Sequence, residues 1–168
     1  MTDDPSTTLL AAIRWFDGPR PCLSPTQENW LLESDSMTLR LERHCRTLSV
    51  RRIREGYCSA AESGGDSALL PASGRYWLRE VVLYGDGRPW LAGRTLIPAH
   101  VLGDAESALT ALGDTPLGRW LFREGPPARD FIQLGRADGL WARRSRLHSH
   151  GKPLLLTELF LSDAPLYR

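Results

Sequence analysis

The sequence predicts an α+β domain in which a six-stranded antiparallel sheet carries a minority of helices. Three observations predict it. Helix-start signals crowd into the first 46 residues; from about Thr47 the apolar pattern shifts to a period of two; and the strand-like stretches are joined by turns of hairpin length. At 168 residues and 42% hydrophobic, the chain can bury a full core yet is too short for two ordinary domains, so residues 1–168 are read as one domain.

In chain order, Ser24, Pro25 and Gln27 form a helix start. A Ser cap, a Pro at the first helical position and a Gln three residues after the cap satisfy the free amides reciprocally, and Trp30, Leu31 and Leu32 supply the apolar face. Asp35 and Ser36 open a second short helix through Met37, Leu39 and Leu41. Leu48 and Val50 then alternate with polar neighbours, and the alternation slips at Arg52 and Ile53, which places a bulge there. A Gly/Ser/Ala-rich loop is expected over residues 59–74. Residues 75–84 and 90–97 are strands joined by a Gly85–Pro89 turn. Asp104 can cap a helix over 105–112, and Thr115 with Pro116 starts another through Leu117, Trp120 and Leu121. Strands over 129–135, 140–147 and 154–161 complete the sheet.

The charge balance excludes some partners. Twenty-one basic residues against 20 acidic ones leave a net charge of +1, so no overall field favours nucleic acid or an anionic membrane. The basic set is one lysine, Lys152, and otherwise arginine, so Schiff-base chemistry has little to work with. Three cysteines, Cys22, Cys45 and Cys58, show no Cys-x-x-Cys spacing, which argues against a disulfide framework or a zinc site and for a reducing compartment. No apolar run reaches the roughly 20 residues needed to span a bilayer, and the N-terminus lacks a signal-peptide pattern. A cytoplasmic monomer without membrane insertion is expected.

Glycine-rich nucleotide loops, His-Glu-x-x-His and Gly-x-Ser-x-Gly are absent. His148 and His150 lie beside Gly151 with no acidic partner nearby in sequence, and read as a solvated turn rather than metal ligands. Arg143, Arg144 and Arg146 read as a solvated sheet face, with Arg143 sharing the side of Trp141. Two other charges are out of place. Arg79 shares a strand face with Trp77, Val81 and Leu83, and Glu158 shares one with Leu154, Leu156 and Phe160. A charge on an apolar face costs several kcal/mol, on the order of the buried-ion penalty, unless it is paired. Either the two pair with each other or a cross-strand neighbour, or they face a common pocket where Arg79 binds a carboxylate and Glu158 handles a hydroxyl or a proton.

Several stretches strongly resemble the chorismate lyase family of bacterial ubiquinone synthesis. They are Glu33-Ser-Asp-Ser-Met-Thr38, Ile53-Arg-Glu-Gly56, Arg75-Tyr-Trp-Leu-Arg-Glu80, Pro89-Trp-Leu-Ala-Gly-Arg-Thr95, Thr115-Pro-Leu-Gly-Arg119, Trp141-Ala-Arg-Arg-Ser-Arg146 and Gly151-Lys-Pro-Leu-Leu-Leu-Thr-Glu-Leu-Phe160. The similarity runs from about residue 25 to the C-terminus; the first 24 residues and the loop at 59–73 match poorly. The resemblance implies a buried pocket on an antiparallel sheet beneath helical flaps, where chorismate becomes 4-hydroxybenzoate and pyruvate without cofactor or metal. It places ligand-binding positions at Met37, Arg79, Leu117 and Glu158. By this reading Arg79 takes the ring carboxylate as a bidentate pair, helped by the backbone near Leu117. Glu158 holds the C4 hydroxyl, and burial on an apolar face would suit it as a base, although the substrate's own side-chain carboxylate could serve instead. Met37 belongs to the lid.

The rival reading is a non-catalytic binding or sensor domain of the same fold, or a carrier of 4-hydroxybenzoate, since fold alone does not fix function. A regulator would need a DNA-binding module, for which 46 residues before the first expected strand are too few.

Overall fold

The computed structural model describes residues 4–103, 108, 109 and 111–168. The elements used below are α1 (Pro5–Ala11), β1 (Arg14–Trp15), α2 (Pro25–Leu31), α3 (Met37–Glu42), β2 (Leu48–Cys58), β3 (Tyr76–Gly85), β4 (Arg88–Pro98) and α4 (Ala99–Leu102), followed by α5 (Leu117–Leu121), β5 (Ala128–Arg129), β6 (Gln133–Ala137), β7 (Leu140–Ser149) and β8 (Lys152–Phe160). Of the helix expected over 105–112, residues 105–107 and 110 lie outside the described residues, as does its expected cap at 104.

The α2 start is a capping box. Ser24 Oγ accepts from the Gln27 amide at 3.1 Å while the Gln27 side chain accepts from the Ser24 amide at 2.9 Å. Ser36 caps α3 by accepting from the Leu39 amide at 3.2 Å. In α5 the start lies where Thr115 and Pro116 place it, but no side chain caps it.

The sheet is antiparallel, in the order β1-β6-β7-β8-β4-β3-β2, with β5 pairing β7 beside β6. Among the described residues it has eight strands, not six. Of the two additions, β1 is a two-residue strand inside the stretch read as helical, and the strand expected over 129–135 divides into β5 and β6. Such short pieces carry too few alternating residues to register as a period. The final strand, β8, inserts between β7 and β4, so the centre of the sheet closes only when the C-terminal hairpin docks.

The bulge lies where the alternation slips. The β2–β3 register shifts between Arg52 and Arg54: Arg52 stands opposite Val81, Arg54 opposite Glu80 and Glu55 opposite Arg79. Were the register to run on with no bulge to absorb Ile53, Arg54 would face Arg79, and two like charges would meet on a buried strand pair.

Both sheet faces are buried. The front carries Trp77, Leu83, Leu91, Leu154 and Phe160, covered by α2, α3 and the α5 segment; the back carries Leu78, Val82, Ala92, Leu155 and Leu159, covered by α1 and the 59–70 segment. That segment is more than a loop, since it forms 3₁₀ turns at Ala61–Ser63 and Asp66–Leu69 and drives Asp66 into the interior. On the back face Arg54, Glu80, Arg94 and Arg144 lie in one cross-strand row, completed by Thr157. Glu80 is fully buried and accepts from Arg54 and from Arg94 at 2.9 Å, while Asp66 meets Arg94 at 3.4 Å and Arg144 at 3.1 Å. Arg144 also donates to Gln133 at 2.8 Å and stacks over Trp15 at 4.3 Å. Arg144 is therefore part of a buried ionic row rather than a solvated face.

Removing one member of a buried ionic set leaves its partners desolvated and unpaired. Glu80→Ala is expected to destabilise the fold by on the order of 3 kcal/mol in urea unfolding; a loss below about 1 kcal/mol, the range of an exposed pair, would contradict this account of the row.

Candidate functional site

A cavity lies between the front of the sheet and the two helical flaps. Its floor is built by strand register. One row across the sheet runs Glu55, Arg79, Thr95, Leu156, Ser145; the next runs Val81, Gly93, Glu158, Arg143; a third contains Leu83, Leu91 and Phe160. Gly93 sits between Val81 and Glu158 without a side chain, and a Cβ there would meet nothing nearer than 3.7 Å, so the glycine leaves the middle of the floor open.

All four positions expected to bind ligand, Met37, Arg79, Leu117 and Glu158, line this one cavity. Met37 is the first residue of α3 and Leu117 the first of α5, so both flaps contribute apolar side chains to the roof, the second adding Leu121 and Phe122. Arg79 and Glu158 rise from β3 and β8 with relative exposures of 1% and 5%.

Arg79 and Glu158 do not pair with each other; each has a cross-strand partner. Arg79 Nη1 donates to Glu55 at 2.8 Å, and Arg143 Nε donates to Glu158 at 2.8 Å. The remaining contacts of the two arginines reach the flaps. Arg79 Nη2 donates to the carbonyls of Gly113 at 3.0 Å and Thr115 at 2.9 Å, just before α5. Arg143 Nη1 donates to those of Leu31 at 3.1 Å and Glu33 at 2.7 Å, between α2 and α3. Burial pushes the Arg79 guanidinium below its ordinary pKa, with Glu55 acting in the opposite direction.

One expectation changes. Arg143 is not on a solvated face: it is 1% exposed, beneath the cavity, where the Trp141 side of β7 faces the core. Its signal, a charge on an apolar face, was the same one that picked out Arg79 and Glu158. Glu158 has the cross-strand partner that one of the two sequence readings offered, Arg143. The Nη groups of Arg79 are engaged, whereas its Nε–H is buried without a partner among the described residues.

Two further arginines make contacts that strand alternation does not single out. Arg129, from β5, lines the cavity and donates to Ser145 Oγ. No pattern marked it, because a two-residue strand has no alternation to violate. Arg146 pairs with Asp130 at 2.6 Å and donates to the Leu69 carbonyl at 3.0 Å. The histidine turn also has acidic neighbours, brought by the fold: His148 lies 2.7 Å from Asp130, and His150 lies 3.0 Å from Glu124. Among the described residues no group of three or more potential metal ligands converges, and no helix is long and apolar enough to cross a membrane.

The flaps meet over the cavity. A Cβ on Gly118 would sit 2.5 Å from Thr38 Oγ1, closer than side chains approach, so the missing side chain lets α5 lie against α3. Arg119 and Glu42 form an ion pair across the same seam. Within the first flap Arg40 stacks over Trp30 at 3.8 Å and donates to the Asn29 carbonyl at 2.6 Å, tying α3 to α2. Gly118→Ala is expected to lift α5 from α3. Amide exchange at α5 should then accelerate at least tenfold while that of β3 and β8 stays unchanged; unaltered exchange at α5 would show that the seam tolerates the methyl group.

The chorismate lyase family model matches residues 11–168, reaching further towards the N-terminus than the motifs quoted above and including the 59–73 segment. A chorismate pyruvate-lyase of Sodalis glossinidius (strain morsitans) is 52% identical over 168 residues, covering 99% of this chain and 95% of that protein. One of Pectobacterium carotovorum subsp. carotovorum (strain PC1) is 53% identical over 167 residues, covering 99% and 94%. Among solved structures, the ligand-binding domain of a GntR-family transcriptional regulator from Bordetella bronchiseptica aligns with a TM-score of 0.48 at 14% identity, over 70% of this chain and 87% of that one.

Proposed function

The chain belongs to the chorismate lyase family, and from that premise we propose that it converts chorismate to 4-hydroxybenzoate and pyruvate, a step towards ubiquinone. In that reaction the C4 proton leaves, the C3–oxygen bond breaks, the ring becomes aromatic, and the departing enolpyruvate takes up a proton to become pyruvate. Aromatisation drives the step, so the protein's work is to orient the substrate, exclude water and stabilise the leaving oxygen.

The observation that carries the assignment is the buried, unpartnered Nε–H of Arg79 in a cavity that also presents Glu158. A donor buried without an acceptor costs about 1–3 kcal/mol, and a carboxylate is the acceptor that would repair it best. The ring carboxylate fits there, along the Nε edge, with the backbone at Leu117 beside it. Glu158, two strands away, faces the C4 hydroxyl at the other end of the ring. One Glu158 oxygen accepts from Arg143 and the other is free to accept from that hydroxyl, a holding role that leaves proton removal open to the substrate's own carboxylate. Met37 and Leu117 close over the ring as the apolar roof.

The same reading has the protein act as a monomer in the cytoplasm, with neither nucleic acid nor a membrane as partner. The +1 net charge and the three free cysteines support the absence of a nucleic-acid partner and the reducing compartment.

Incubation of the purified protein with chorismate is expected to release pyruvate and 4-hydroxybenzoate in equal amounts. Binding of 4-hydroxybenzoate without pyruvate release would instead favour a sensor or carrier. Arg79→Ala should lower kcat/KM at least tenfold, since a charge-assisted contact is worth about 1.5–3 kcal/mol. Unchanged kinetics in the folded variant would overturn the role given to Arg79.

A further inference from the structure

Three arginines line the cavity: Arg79, Arg129 and Arg143. Two of them face carboxylates of the protein itself, Glu55 and Glu158. Arg129 differs. Its side-chain hydrogen bond goes to the neutral Ser145 Oγ, and among the described residues no carboxylate lies within ion-pair distance of it. It is half-buried, and desolvation together with the neighbouring Arg143 holds its guanidinium below its ordinary pKa, with Glu158 and Glu33 as the more distant acidic influences. A desolvated cation without an anion is an unfinished pair, and a ligand carboxylate would complete it.

Its place in the sheet says which carboxylate. The strands carrying the polar floor lie in the order β3, β4, β8, β7, β5, and they carry Arg79, Glu158 and Arg129 in that direction. Arg129 stands opposite Leu147, on the face shared by Ser145 and Arg143, beyond Glu158 as seen from Arg79. In chorismate the ring carboxylate is at C1, the hydroxyl at C4 and the enolpyruvyl ether at C3, next to the hydroxyl. With the ring carboxylate at Arg79 and the C4 hydroxyl at Glu158, the enolpyruvyl group extends sideways from the far end.

Resting on the reaction proposed above, we infer that Arg129 binds the enolpyruvyl carboxylate. It thus recognises the part of the substrate that leaves as pyruvate and makes no contact with 4-hydroxybenzoate. Arg79, by contrast, serves substrate and product alike. The division gives the cavity a reason to hold two separated cations and predicts that the two arginines differ in what they discriminate.

The test compares Arg129→Gln with the wild-type protein in two measurements, chorismate turnover and the binding of 4-hydroxybenzoate by titration calorimetry. Arg129→Gln should lower kcat/KM for chorismate at least tenfold while the Kd for 4-hydroxybenzoate changes less than twofold, and Arg129→Lys should recover part of the loss. Unchanged kinetics in Arg129→Gln would overturn the inference. So would an equal loss of turnover and 4-hydroxybenzoate affinity, which is the result of a merely structural role. Wild-type protein that releases no pyruvate would instead overturn the reaction itself, a result that is separate because it needs no variant.

Discussion

The pairing of buried charges across adjacent strands is the constraint on which the rest depends. A guanidinium at 1% exposure cannot persist on an apolar face without an anion, and the sheet provides one by register: Glu55 opposite Arg79, and Glu158 opposite Arg143. The first pairing exists only because β2 takes an extra residue between Arg52 and Arg54. The bulge therefore works at two levels. It keeps Arg54 on the back face with Glu80, and it delivers Glu55 to the front.

The same two arginines connect the floor to the roof. Arg143 holds the carbonyls of Leu31 and Glu33 in the first flap, and Arg79 holds those of Gly113 and Thr115 in the second. Any opening of a flap must break these charge-assisted bonds inside a site that water reaches poorly, which favours a closed resting arrangement. A carboxylate that meets the Arg79 Nε–H does so on the same side chain whose Nη2 holds the second flap. Entry of an anion and movement of the lid are in this sense coupled through one side chain.

Much of the site was legible in strand alternation. A period of two put Arg79 and Glu158 on apolar faces before any fold was known, and the slip at Arg52 and Ile53 marked the bulge. The same pattern also placed Arg143 beside Trp141, but one charge among three neighbouring arginines resembles a solvated surface. Only the 59–70 segment folding over the back, and α2 over the front, shows where the water is excluded. Arg129 and β1 were beyond reach for a different reason, since two-residue strands are defined by their partners and not by their own sequence. The partners of Arg79 and Glu158 likewise depend on register, a property of two strands together.

The central claim is that Arg79 and Glu158 mark the two ends of a bound aromatic acid, with the idle Nε–H of Arg79 as its carboxylate anchor. A crystal structure with 4-hydroxybenzoate bound tests it most directly. The account predicts the carboxylate within hydrogen-bond distance, about 2.7–3.0 Å, of Arg79 Nε and the phenol oxygen within the same distance of the Glu158 carboxylate. A ligand seated elsewhere, or one reversed so that its carboxylate faces Glu158, would contradict it.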